Sequence, residues 1–184
     1  MSRVITSCIL ALFVLVSPSL WANTQVSTTQ VSGQSELFGL PFNNLKLSDL
    51  GEQLKSMGVE SYPSYQDGVQ SYSLGPEGIL GVTDLTVQSN ESGYLVQALL
   101  SGVVKSSRQR RSLGNLLLKK YGTPSSGRLD NGLGEVEWRL KDYTKISLNN
   151  VSVDVSVTYL DERPKVIQSS GRIDVESLSL SRNN

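Results

Sequence analysis

The sequence predicts an α+β fold: two tandem αβββ units with an antiparallel sheet packed against helices. Three observations carry it. The stretch "LGEQLKSMGVES" at 50–61 returns in paraphrase as "LGNLLLKKYGTP" at 113–124. Each copy is followed by a turn signal, "DG" at 67–68 and "NG" at 131–132, and then by strand-forming runs. The last run, "VSVDVSVTYL", alternates apolar and polar residues strictly. Such alternation gives a strand one buried and one wet face, and so an antiparallel sheet covered on one side.

The elements follow in chain order. Leu47, Leu50, Leu54 and Met57 recur at helical spacing, with Ser48 placed to cap the start and Gly58 to stop it; Gly51 weakens the helix. "VQSYSL", "VTDLTVQS" and "YLVQALLSGVV" are its three strands, with "SNESG" at 89–93 as a tight turn. In the second copy Leu113, Leu116, Leu117 and Tyr121 form the apolar stripe. Lys119 and Lys120 suit the negative end of the helix dipole, Gly122 suits the left-handed position after it, and Pro124 prevents resumption. "EVEWRL", "KISL" and "VSVDVSVTYL" complete that unit, with "LNN" at 148–150 as a turn and Val151, Val153, Val155, Val157 and Tyr159 on the buried face. One unit of about 60 residues makes a marginal core, whereas two can share one.

Residues 1–22 read as a secretory signal peptide: Arg3, then the apolar run "VITSCILALFVLV", then "SPSLWA" ending on Ala22. The apolar run falls short of the roughly 20 residues that span a bilayer. Residues 23–37 are polar and read as a flexible leader, 38–161 as a single domain of two units (38–104 and 105–161), and 162–184 as a C-terminal tail or edge strand. Cleavage after Ala22 removes Cys8, the one cysteine of the 184 residues, and the chain has no histidine. Disulfides are then impossible, and export without cysteine fits a bacterial periplasm. The segment 23–104 carries eight acids and two bases, and 105–184 fourteen bases and nine acids, so a neutral total conceals a dipolar chain.

The helix ending "LLLKKYGTP", the strand "VEWRL", the strand "TKISL" and the closing "VTYLD" resemble a pattern of small exported proteins of Gram-negative bacteria. The tandem helix-plus-sheet units over roughly 38–161 are also similar to the β-lactamase-inhibitor-protein-like group, which includes the small lipoprotein of the outer-membrane barrel assembly machine. The resemblance is architectural and implies a binding or scaffolding protein rather than an enzyme.

Without His or a mature Cys, the usual general base, the commonest metal ligand and thiol nucleophiles are absent from the sequence. No Ser-x-x-Lys, P-loop or Gly-x-Ser-x-Gly pattern occurs. Glu135 and Glu137 share a strand face near Arg128, Arg139 and Lys141 and read as a solvated, cross-strand-paired surface. "DNGLGEVE" at 130–137 lacks the ligand spacing of a calcium loop and reads as a hairpin. No cofactor or metal is expected.

Candidate contact residues fall in two groups. The run "KSSRQRR" places Lys105, Arg108, Arg110 and Arg111 just before the second helix, where cations oppose the helix dipole. Either the helix starts late, near Ser112, or the cations face outward, as a solvated linker or as a site for an anionic envelope surface or protein. Tyr62, Tyr65 and Tyr72 form an aromatic group that suits a recognition surface or a loop over the core edge. Trp138 is a core residue of the second unit or an aromatic anchor. The function expected is a non-catalytic periplasmic binding or adaptor module of the cell envelope, its partner another envelope protein or an anionic surface. Nucleic acid is not expected, nor a membrane span once the signal is cleaved. The alternatives are an inhibitor or immunity protein that blocks a hydrolase, and a carboxylate-only enzyme.

Overall fold

A computed structural model of the protein describes residues 33–62 and 65–164. The segment read as a signal peptide (1–22), the expected leader up to residue 32 and the expected tail beyond residue 164 lie outside the described residues.

The fold is α+β and mostly sheet. Ten strands and two helices run in the order β1 (Glu36–Leu37), β2 (Leu40–Pro41), α1 (Leu47–Ser56), β3 (Glu60–Tyr62), β4 (Val69–Ser73), β5 (Asp84–Ser89), β6 (Leu95–Val103), α2 (Ser107–Tyr121), β7 (Ser126–Asp130), β8 (Leu133–Arg139), β9 (Thr144–Asn150) and β10 (Asp154–Asp161). Strands β1 and β2 form a small hairpin; the other eight make one antiparallel sheet in the order β3-β4-β5-β6-β10-β9-β8-β7. Each helix therefore precedes a four-strand meander, and the last strands of the two meanders, β6 and β10, join at the centre.

The strand count per half is four rather than the three expected. The extra strands, β3 and β7, are the outermost ones. Each pairs on one side only, so neither needs the apolar alternation that marks a strand in sequence.

Alternation sorts the sheet into two faces. On one, Tyr72, Leu85, Leu100, Val157, Leu148 and Val136 lie side by side on successive strands. Beside them runs a second row of Val87, Ala98, Tyr159, Ile146 and Trp138. These join Leu50 and Leu54 of α1 and Leu113, Leu117 and Tyr121 of α2 in a single core. Burial of apolar area, at about 25 cal/mol per Å2, is the main stabilising term for a chain without cross-links.

The helices cover the outer strands: Gly51 of α1 lies over Tyr72 of β4, and α2 packs on β8 and β9. The central strands are covered by the N-terminal hairpin instead. Phe42 is fully buried with its ring 5.8 Å from that of Tyr159, and Leu37 and Leu45 pack around it. Ser35 and Leu37, placed by the sequence in the leader, are buried parts of the fold. Ser35 is held by Asp142, which accepts from its backbone N–H at 2.7 Å and its hydroxyl at 2.9 Å.

Helix boundaries differ from expectation at both starts. α1 begins at Leu47 behind Lys46, with no side-chain cap, because Leu47 N–H donates to the Gly93 carbonyl and fixes the chain there. Ser48 is instead one residue inside the helix and bonds Asp49. α2 begins at Ser107, not near Ser112, because Ser106 supplies a cap by accepting from Gln109 N–H. At the far end Gly122 takes φ 75° and its carbonyl accepts from Trp138 Nε1 at 2.9 Å.

Two turn readings also shift. The two-residue Asn131–Gly132 hairpin forms as read, both residues at positive φ between Asp130 and Leu133. "LNN", however, is strand: β9 runs through Asn150, and the chain turns at 151–153. Val151 and Val153 are thus exposed in a bend, and the alternation that appeared to begin at Val151 becomes real at Asp154.

Candidate functional site

The feature that singles out this fold is the face of the sheet opposite the helices, which no described element covers. Because side chains alternate along a strand, every residue between two core positions points there. One row across it reads Ser71, Thr86, Leu99, Thr158, Ser147 and Glu137 on six adjacent strands. The next reads Ser73, Asp84, Ser101, Ser156, Asn149 and Glu135. Short hydroxyl and amide side chains make this a broad hydrogen-bonding surface that costs little conformational entropy to order. Some of its groups are already paired: Ser71 and Thr86 hydroxyls lie 3.0 Å apart. Leu99 and Leu160, both half-buried, and the exposed Val103 are its apolar points on the two central strands.

One end of this face is charged. Glu137 and Glu162 bracket Arg139 and Lys145 in a four-residue network, with Lys145 Nζ 3.4 Å from Glu162 and 3.9 Å from Glu137. Glu137 thus takes the cross-strand pairing expected of it. Exposed pairs of this kind contribute little to stability. They do hold Glu162, just after β10, against β8 and β9.

The sequence candidates are not brought together. Tyr62 sits half-exposed on the edge strand β3, and Tyr65 is fully exposed in the connection to β4. Tyr72 and Trp138 are buried, at 6% and 1% exposure, and present nothing to a partner. For Tyr72 the reason is its place on β4 beneath α1, which also pushes its phenol above the ordinary value through burial. Trp138 is a core residue because β8 alternates with Val136 and Trp138 inward and Glu135, Glu137 and Arg139 outward.

In the basic run Lys105 precedes α2, and Arg108, Arg110 and Arg111 lie on its first turns. Lys105, Arg108 and Arg111 are exposed. Arg110 is not free: its Nη1 donates to the Ser152 carbonyl at 2.7 Å, tying α2 to the 151–153 bend. Beside it the fully buried Asn150 amide donates to the Arg110 and Gly132 carbonyls, each at 2.8 Å. Part of the run is therefore a structural joint.

Three perturbed groups lie where the hairpin and α2 meet the sheet. Burial pushes the Asp142 carboxyl up, but bonds from the Ser35 and Thr144 backbone N–H groups and hydroxyls outweigh it and hold the group below its ordinary value. The Tyr121 and Tyr159 hydroxyls meet at 3.2 Å, and burial raises both phenols well above the usual range.

Among the described residues no group of three His, Cys, Asp or Glu side chains could hold a metal ion, and no helix is long and apolar enough to cross a membrane. The open-face residues were missed as a site because Ser, Thr and Gln at the polar positions of an alternating strand look like ordinary solvated positions. Comparison with protein-family models, with curated proteins and with solved structures finds no match for this chain.

Proposed function

We propose that this chain is a non-catalytic binding or adaptor module of the bacterial periplasm, exported by a cleaved signal peptide, which engages a partner through the open face of its eight-stranded sheet. The observation that carries the reading is that face itself. An eight-stranded surface, mostly of polar and charged side chains, is left uncovered while the other face takes two helices and a hairpin. The acidic first half and the basic second half lie side by side, joined at β6 and β10, so the domain's charge is lopsided. Such a distribution orients a charged partner and speeds its encounter. The matching order of elements in the two halves speaks for tandem duplication of a helix-plus-meander unit. The copies read in sequence as αβββ, each with a further edge strand. An inhibitor that blocks a hydrolase is the second reading, and exposed Tyr62 and Tyr65 at one edge of the same sheet favour it.

The test is capture from periplasmic extract with the wild-type chain and with Thr158→Arg and Leu99→Glu variants. These replace open-face side chains at the two central strands without touching the core. The reading requires a partner retained by the wild type and lost by both variants at unchanged melting temperature. A partner retained equally by all three would move the interface elsewhere.

A further inference from the structure

The helix side of the sheet is covered incompletely. Between α2 and the N-terminal hairpin lies a cleft of about 310 Å3, at the lower end of the volumes that hold small molecules. Its floor is Leu100 and Val157 on the central strands, and Leu113, Leu116 and Leu117 of α2 form one wall. Phe38 of the hairpin and Ile79 with Val82 form the other. Leu116 and Ile79 are half-exposed although apolar.

The cleft has a polar end. Lys120 continues the helix stripe of Leu113, Leu116 and Leu117, and its Nζ lies 3.2 Å from the Glu36 carboxylate across the mouth. Tyr159, also lining the cleft, shares a hydrogen bond with Tyr121. From Leu113 to Lys120 the wall runs about 10 Å, at 1.5 Å per helical residue. At roughly 30 Å3 for a group the size of a water molecule, the volume matches about ten such groups.

We propose that this cleft binds a single-chain anionic amphiphile, its apolar chain of about eight to ten carbons along α2 and its acidic head at Lys120. The cleft is apolar along α2 with its charge gathered at one end, as an amphiphile's is. Glu36 holds Lys120 in the absence of ligand, and the head competes for the same ammonium. The cleft lies on the face opposite the open sheet surface, so this site does not depend on the partner reading above.

The probe is sodium decanoate, below the concentration at which it forms micelles, titrated calorimetrically into the purified full chain. Saturable one-to-one binding is expected. Ile79→Asp sets a carboxylate in the wall at an exposed position and should weaken binding about tenfold or more, because a charge beside an alkyl chain must be desolvated unpaired. Lys120→Met should weaken it severalfold, and Glu36→Gln should strengthen it by freeing the ammonium. Melting curves establish that each variant is folded. No saturable binding to the wild type, or equal binding to wild type and Ile79→Asp, overturns the proposal. So does equal affinity for decyltrimethylammonium. Binding that appears only when Ile173, Val175 and Leu178 are together changed to Asp also overturns it, and makes the chain's own C-terminal segment the occupant.

Discussion

Gly114 of α2 and Gly132 of the β7–β8 turn touch backbone to backbone. A Cβ on Gly114 would fall inside the Gly132 carbonyl, and one on Gly132 would fall inside the Arg111 carbonyl. Gly132 also sits at φ 82°, which side-chain-bearing residues avoid. This is what lets α2 lie down on the sheet. Gly114→Ala is expected to destabilise the fold by about 1–3 kcal/mol, the usual cost of overpacking, despite the better helix propensity of alanine. Gly51, in the corresponding position of α1, is the contrast: its Cβ would meet only the Tyr72 hydroxyl, at 3.5 Å. Gly51→Ala should therefore stabilise by about 0.5–1 kcal/mol. Urea midpoints of the two variants decide it; equal effects would mean the two helices are not seated differently.

That asymmetry bears on what was legible in sequence. Both helices were, because Leu50 with Leu54 and Leu113 with Leu117 and Tyr121 carry the 3.6-residue period that burial imposes. The inner strands were, because Leu85 with Val87 and Val155 with Val157 and Tyr159 alternate. The edge strands β3 and β7 were not: Glu60–Tyr62 is exposed throughout, and Ser126–Asp130 nearly so, and register there is set by the neighbouring strand. The joint at Arg110 and Asn150 was not, since its bonds link residues forty positions apart. The cleft was not, because its walls come from a hairpin, a loop and a helix that no local pattern relates.

Asp142 ties the hairpin to the β8–β9 connection, and its folded carboxyl value is depressed below 3.8 by the bonds from Ser35 and Thr144 that overcome burial. A depressed carboxyl contributes stability that is fully present above the unfolded value and lost as pH falls through the folded one. Asp142→Asn should therefore lower the urea midpoint clearly at pH 7 and less at pH 3. An equal loss at both pH values would show that the carboxylate charge contributes nothing to the tie.

Trp138 Nε1 donates to the Gly122 carbonyl at the end of α2 while its ring packs 6.1 Å from that of Tyr121. Trp138→Phe removes the donor, strands a carbonyl at the helix terminus and leaves a void. The bond alone is worth about 0.5–1.5 kcal/mol net, and the void adds to it. Ser125 and Gly122 lead straight into β7, so the loss should fall first on the second half. Hydrogen exchange of the β7 and β8 amides is expected to quicken more than that of β4 and β5. Uniform quickening across both halves would mean that the helix end is held by other contacts.

The basic run divides into one structural and three exposed cations, and the division is measurable. Arg108 and Arg111 project from the first turns of α2 with no described salt bridge, at the helix end where a cation opposes the dipole. Changing both to Ser should leave stability within about 0.5 kcal/mol, as for most surface substitutions. Arg110→Ser removes the bond to the Ser152 carbonyl, which spans from α2 to the 151–153 bend, and should cost about 1 kcal/mol. The Arg108/Arg111 double variant is thus the instrument for asking whether the run meets an anionic partner, because it alters charge without loosening the joint. If the run is a contact, the double variant should bind more slowly at low salt, and the difference should shrink as salt rises, since exposed charges are screened beyond about 8 Å at physiological ionic strength. Binding that does not change between the wild type and the double variant, at either salt, would leave the run with the role of Arg110 alone.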